Sequence, residues 1–279
     1  MTVEYDPAVH YDRVTAAWQL LLGDELHYGV FEAGDDLATA TSRLTRRMLE
    51  AARLAEAGGP DRLRVLDVGC GTGAPARAMA REFGVEVLGI TTSAVGVEAA
   101  TARAAEAGLD HVSFEQRDGM DNGLPDESFD VVWALESSHL MRDRDAVLDE
   151  CTRVLRPGGR LVLCDLLRHR EIPFAEVRER RADFTTLRDA FGDAHFETLA
   201  FHTEGLTRRG LTVEVADDLT EQTLPTFDAW RANAAEHRDR VVELIGEDGH
   251  TAFVRSCDIL EGFWRDGTFG YGLVAARRD

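Results

Sequence analysis

A chain of 279 residues with 44% hydrophobic content is long enough to bury a substantial core, and its length fits one elaborated domain as readily as two. A net charge of −20 and a pI near 4.8 exclude the electrostatic footprint of a nucleic-acid or anionic-membrane binder and favour a small-molecule substrate. All 31 basic residues are arginine, which removes every mechanism that needs a lysine as Schiff base, phosphate ligand or amine nucleophile.

In chain order, Val14, Ala17, Trp18 and Leu21 recur at helical spacing within 9–22, a helix that Gly23 ends. The loop Leu26–Phe31 mixes aromatic and ionisable groups, and a long helix follows over 37–57, closed by Gly58-Gly59-Pro60. Strands then alternate with helices, the signature of a parallel sheet covered on both faces. The strands are expected near 64–68, 86–90, 111–116, 129–134, 159–166 and 211–217, with a last one from Phe269 to Ala276. Helices are expected near 75–83, 94–107 and 145–155, with Pro157-Gly158-Gly159 turning the chain into the fifth strand. Two further segments, 173–205 and 225–266, are helical in pattern and carry Phe227, Trp230, Phe253, Phe263 and Trp264. They suit a lid over the carboxyl ends of the strands; the alternative is that these aromatics are ordinary core.

Cys70, Cys151, Cys164 and Cys257 lack Cys-x-x-Cys spacing, so no metal site is expected from them, and Cys151 and Cys164 lie in apolar stretches as small hydrophobes. Glu4, Asp6 and Asp12 interrupt any secretory segment and no run approaches a membrane span, so a cytoplasmic protein with reduced thiols is expected.

The stretch Val65-Leu66-Asp67-Val68-Gly69-Cys70-Gly71-Thr72-Gly73 is an apolar strand entering a glycine turn before a helix, a site for a nucleotide-like ligand. A side chain at Gly69 or Gly71 would block the ligand's approach to the backbone. Asp67 repels a pyrophosphate and suits a cation such as an ammonium or sulfonium. Gly69-x-Gly71-x-x-Ala74 also fits a dinucleotide fingerprint, but the second strand ends Gly89-Ile90-Thr91-Thr92-Ser93, without the acid that holds a nicotinamide ribose. Arg117-Asp118-Gly119-Met120 ends the third strand, where Asp118 by itself suits a turn former.

These motifs, with Val154-Leu155-Arg156-Pro157-Gly158-Gly159-Arg160-Leu161, stand in the order and spacing of class I S-adenosylmethionine-dependent methyltransferases, which the chain resembles. The similarity lies with a small-molecule and natural-product branch that includes tocopherol, sarcosine–dimethylglycine and rebeccamycin-type sugar O-methyltransferases. It implies an α/β, Rossmann-like fold: a seven-stranded, mostly parallel sheet with an antiparallel last strand, an N-terminal helical cap and helical lid insertions. A single domain over 1–279 would comprise a cap at 1–60, a cofactor-binding core at 61–170, and the rest of the sheet with its lid at 171–279. The implied cofactor is S-adenosyl-L-methionine, with S-adenosyl-L-homocysteine as product. The resemblance gives Asp67, Gly69 and Gly71 to the methionine end, Thr91 and Thr92 to the ribose, and Asp118, Gly119 and Met120 to the adenine. It adds cofactor contacts at Leu135 and Glu136, with Tyr11, His27 and Tyr28 closing the pocket. Gly96 stands where the branch often has a glutamine on the ribose.

Trp133-Ala134-Leu135-Glu136-Ser137-Ser138-His139 ends the fourth strand and Leu163-Cys164-Asp165-Leu166 the fifth. A histidine, largely neutral at physiological pH, suits removal of a hydroxyl proton, and an aspartate beside it would fix its tautomer. His139 and Asp165 match the pair proposed as catalytic in the rebeccamycin-type enzyme, which implies O-methylation of a bacterial secondary metabolite. The alternative is that His139 packs beneath the lid and Asp165 ends a strand. Other readings are an N- or C-methyltransferase, a methyltransferase-fold cyclase, and, less favoured, an NAD(P)-dependent oxidoreductase. No metal, nucleic-acid or membrane partner is expected, and a homodimer is an allowed assembly.

Overall fold

The computed structural model describes residues 16–56 and 62–279. Its strands are β1 (Arg64–Val68), β2 (Glu86–Thr91), β3 (Val112–Gln116), β4 (Phe129–Leu135), β5 (Leu155–Arg168), β6 (Leu211–Asp218) and β7 (Phe269–Arg278). They form one sheet in the order β3-β2-β1-β4-β5-β7-β6. The pairs β3–β2, β2–β1, β1–β4 and β4–β5 are parallel, and β7 runs antiparallel to its neighbours, as the sequence leads one to expect.

After a helical stretch over 16–21 come helices α1 (Leu37–Ala52), α2 (Ala74–Phe83), α3 (Ala94–Glu106) and α4 (Arg144–Val154). Next are α5 (Phe174–Glu179), α6 (Arg181–Phe191), α7 (Leu199–Arg208), α8 (Thr220–Thr223), α9 (Thr226–Glu236) and α10 (Arg238–Arg265). Local chemistry sets several boundaries. The Ser93 side chain accepts from Gly96 N–H at 2.9 Å to cap α3, and Asp143 accepts from Ala146 N–H at 3.0 Å to cap α4. The helix expected over 37–57 stops at Ala52, because Arg53 takes a left-handed conformation at φ 52°. α10 is broken at Gly246, whose φ of 81° and ψ of 167° are not helical.

The Pro157-Gly158-Gly159 run does not precede β5 but bulges out of it. Leu155 already pairs with Phe129, and the ladder resumes at Val131 and Arg160. A Cβ at Gly159 would sit 2.8 Å from the Asp130 carbonyl oxygen, so a side chain there would break the pairing.

The chain divides into two compact units. One comprises 45–165, 199–218 and 272–279. In it Leu66, Val68, Ile90, Val132, Ala134, Leu161 and Leu163 pack with Val147, Leu148 and Cys151 of α4 and Leu206 of α7. Helix α7, expected as the end of the first lid segment, therefore covers the sheet, because its apolar face is the one that completes this core. The other unit takes the chain up to 44, with 166–198 and 219–271. Its core is aromatic: Tyr28 stacks on Trp264 at 5.5 Å and 7° and meets Phe227 edge-on at 5.6 Å, while Phe263 lies 4.6 Å from Phe269. Phe227, Trp230, Phe253, Phe263 and Trp264 are all buried here, as the core alternative expected. Among the described residues no helix is long and apolar enough to cross a membrane.

Candidate active site

The expected cofactor residues from Asp67 onward follow, or stand near, the carboxyl ends of β1 to β4, the edge where open α/β sheets bind ligands. Three glycines of the β1–α2 turn have left-handed backbones: Gly69 (φ 79°), Gly71 (φ 51°) and Gly73 (φ 74°). Their reasons differ. A Cβ at Gly69 would lie 2.2 Å from Ser137 Cβ, and one at Gly73 would lie 2.5 Å from the Phe114 ring, so these two glycines serve internal packing. At Gly69 this packing on Ser137 is a reason for glycine in addition to the ligand approach expected from the sequence. At Gly71 a Cβ would meet nothing within 4 Å, which leaves that backbone open to approach.

Asp67 is 2% exposed, and its Oδ2 has no hydrogen-bond partner among the described residues. Burial pushes its carboxyl up to about 7. Its register partner on β4, Trp133, is also fully buried, and its indole N–H has no partner among the described residues. A buried carboxylate oxygen without a donor, beside an open glycine backbone, fits a cofactor that brings an ammonium and a sulfonium.

At the end of β2, Thr91 Oγ1 accepts from Ser93 N–H at 3.2 Å, and the Thr92 carbonyl accepts from the Gln116 amide at 2.9 Å. A Cβ at Gly96 would stand 3.2 Å from the Gly71 carbonyl oxygen, a tight contact beside the glycine turn. Beyond β3, Asp118 is exposed and its Oδ1 accepts from Met120 N–H at 2.8 Å. It is thus a turn former whatever else it binds. Gly119 is buried, and a Cβ there would lie 2.8 Å from Met141 Cε. The loop after Met120 is tied down by Arg153, which donates to the Leu124 carbonyl at 2.6 Å and to Glu150 Oε1 at 2.7 Å. Sequence reasoning missed this anchor.

β4 ends at Leu135 in a rigid turn. Glu136 holds φ at 46°, a left-handed conformation uncommon for a residue with a side chain, while its N–H donates to the Cys164 carbonyl at 2.8 Å. Ser137 Oγ donates to the Val68 carbonyl at 2.6 Å. A 3-10 turn, Ser138–Leu140, then brings His139 against Asp165, with Nδ1 and Oδ1 2.6 Å apart. β5 runs past Asp165 to Arg168, so this aspartate lies within the strand and not at its tip. Ser138 Oγ and His139 N–H both donate to Asp165 Oδ2, at 2.5 and 3.0 Å. Burial pushes the Asp165 carboxyl up, but the imidazole and Ser138 bonded to it, with the charge of Arg144, outweigh burial and hold it at about 2. Ser138 and Arg144 were not anticipated, and the only clue was a hydroxyl pair directly before the candidate base.

In the other unit His27 is buried, its Nδ1 2.7 Å from the Tyr28 carbonyl and its Nε2 2.8 Å from Glu25 Oε2. Tyr28 sits in the aromatic core, and the following backbone is held by Gly29 N–H donating to Thr226 Oγ1 at 3.2 Å. Tyr11 lies outside the described residues. All four cysteines are buried and outside any disulfide, and burial pushes Cys151 and Cys257 up to about 12, as inert thiols. Among the described residues no cluster of His, Cys, Asp or Glu could hold a metal ion.

Sheet order, glycine turn and donor-poor Asp67 together define a Rossmann-like fold for a cationic nucleotide cofactor. A methyltransferase-domain family model matches residues 66–163. The chain is 38% identical over 274 residues to the 27-O-demethylrifamycin SV methyltransferase of Amycolatopsis mediterranei, covering 96% of this chain and 95% of that one. It is 32% identical over 254 residues to a probable tocopherol O-methyltransferase of Oryza sativa, covering 88% and 67%. Among solved structures, the cyclase SpnF superimposes with a TM-score of 0.80 at 28% identity, covering 97% of this chain and 95% of that one. The chain belongs to the S-adenosylmethionine-dependent methyltransferases, and it acts on a small molecule with S-adenosylmethionine as cofactor.

Proposed function

We propose that this enzyme methylates a hydroxyl group of a bacterial secondary metabolite, with His139 as general base and Asp165 as its positioning partner. The observation that carries the reading is the 2.6 Å contact between His139 Nδ1 and an Asp165 carboxylate held ionised at about 2. A donor on Nδ1 leaves Nε2 as the basic atom of the imidazole. Nε2 takes the acceptor's hydroxyl proton as the new C–O bond forms, and Asp165 stabilises the imidazolium without itself being protonated. The relative from Amycolatopsis, named for O-methylation of a natural product, supports both the acceptor atom and the substrate class.

Asp67, Gly69 and Gly71 would hold the methionine end of the cofactor, Thr91 and Thr92 its ribose, and Asp118, Gly119 and Met120 its adenine. Leu135 and Glu136 would touch it from β4. When bound, the cofactor supplies a methyl group on a sulfonium with a good leaving group, so the chain's remaining task is to align and deprotonate the acceptor. We place the enzyme in the cytoplasm, with the whole chain acting as one methyltransferase domain; buried thiols outside any disulfide suit a reducing compartment.

Methyl-labelled cofactor added to cell extract identifies the acceptor by the mass of its labelled product. With that acceptor, His139→Ala is expected to lower turnover about 10²–10⁴-fold and leave S-adenosylhomocysteine affinity nearly intact. Full turnover of the variant from pH 5.5 to 9 would remove His139 as base and favour a nitrogen or carbon acceptor. The similarity to SpnF supports a second reading, cyclisation on a methyltransferase scaffold, for which the product would carry no label.

A further inference from the structure

We infer that Ser138 is a positioning residue for the His139–Asp165 pair: its hydroxyl and the His139 backbone N–H pin one carboxylate oxygen so that the other is presented to the imidazole. This inference rests on the reading of His139 as base given above.

Ser138 is buried, at 2% exposure, and opens the 3-10 turn that follows the left-handed Glu136. A carboxylate held by one bond to an imidazole keeps freedom about its Cβ–Cγ axis, and an imidazole held by one bond keeps freedom to tilt. Here Oδ2 receives the Ser138 hydroxyl at 2.5 Å and the His139 N–H at 3.0 Å, and Oδ1 receives the His139 ring at 2.6 Å. The backbone and the ring of a single residue thus grip opposite oxygens, while Ser138 supplies the shorter of the two bonds on Oδ2. The orientation of the carboxylate and that of the imidazole are fixed together, which is what retention of one tautomer requires.

The neighbouring serine cannot substitute. Ser137 Oγ is committed to the Val68 carbonyl at 2.6 Å and ties the turn to β1. Arg144, itself buried, donates to the Met141 carbonyl and adds positive charge near Asp165 without replacing the hydroxyl. Without Ser138, Oδ2 would lose the shorter of these two bonds. The carboxylate would then turn, and the Nδ1–H proton would be held less firmly.

The test uses histidine-labelled protein saturated with S-adenosylhomocysteine and needs no acceptor. Nuclear magnetic resonance of the wild type is expected to show a downfield, slowly exchanging Nδ1–H proton, assigned by its loss in His139→Gln. In Ser138→Ala that proton should exchange about tenfold faster or more, the equivalent of one lost hydrogen bond, with S-adenosylhomocysteine affinity unchanged. Ser138→Thr, which keeps the hydroxyl, should restore slow exchange. If the alanine variant does not bind S-adenosylhomocysteine, Ser138→Cys, of similar shape with a weak donor, carries the same expectation. An unaltered signal in the alanine or cysteine variant would overturn the role of Ser138 and leave His139 as base untouched. Absence of the signal from the wild type would instead overturn the base reading, and the role of Ser138 with it.

Discussion

Asp67 on β1 and Asp165 on β5 belong to the same sheet and are equally withdrawn from water, at 2% and 1% exposure, yet their carboxyls titrate in opposite directions. Among the described residues one Asp67 oxygen has no donor, and burial carries the carboxyl up to about 7. Asp165 is gripped through both oxygens by Ser138 and His139, and those donors with nearby positive charge bring it down to about 2. Burial sets the cost of ionisation, and the supply of donors decides whether the protein itself meets it. A carboxylate completed by its own chain is ready to orient a base. One left incomplete is ready for a ligand that brings the missing positive charge.

Exchanging the chemistry of either group tests this contrast. The largest effect is expected at the completed site: Asp165→Asn should cut turnover with the identified acceptor about 10²–10⁴-fold, because an amide no longer selects the productive imidazole tautomer. Calorimetry should find S-adenosylhomocysteine affinity little changed in that variant.

The incomplete site should reveal itself first through stability. An acid whose folded pKa lies above its ordinary value of 3.8 destabilises the fold when ionised, so cofactor-free protein should lose stability as pH rises from about 4 to about 7. The loss from this group is on the order of 4 kcal/mol, and it levels off above pH 7. Denaturant melts of Asp67→Asn should lack that slope. Asp165 has the opposite sign: its stabilisation is complete above pH 3.8 and is lost as pH falls through about 2.

Ligand affinity gives the next test. A cation binds the ionised form of Asp67, so S-adenosylhomocysteine should bind about tenfold more tightly for each pH unit gained between 5.5 and 7. Asp67→Ala should abolish this dependence and weaken binding by about 1.5–3 kcal/mol, the range for a hydrogen bond to a charged group. A flat affinity profile in the wild type would mean that the cofactor does not complete Asp67. The smallest effect concerns the turn that feeds Asp165. Glu136→Gly removes a left-handed side-chain residue and should raise stability by about 1 kcal/mol while lowering turnover, as thermal melts and rates would show.

Much of this was legible in the chain itself. Alternating apolar runs and helix signals determined the seven strands, their mostly parallel arrangement and the glycine turn after β1, because hydrophobic period and turn chemistry are local properties. The spacing of Asp67, the β2 end, Asp118 and the Pro-Gly-Gly run was enough to indicate the cofactor class. Other features depended on partners distant in sequence. That Gly69 yields to Ser137, that α7 completes the sheet's core, that Pro157-Gly158-Gly159 forms a bulge and that Tyr28 joins an aromatic core could be decided only by the tertiary structure. The same holds for the two carboxylates. The sequence places an aspartate on each strand, but a pKa is set by what surrounds the oxygen in space, and only folding brings Ser138 and His139 to Asp165 while, among the described residues, an oxygen of Asp67 is left without a donor.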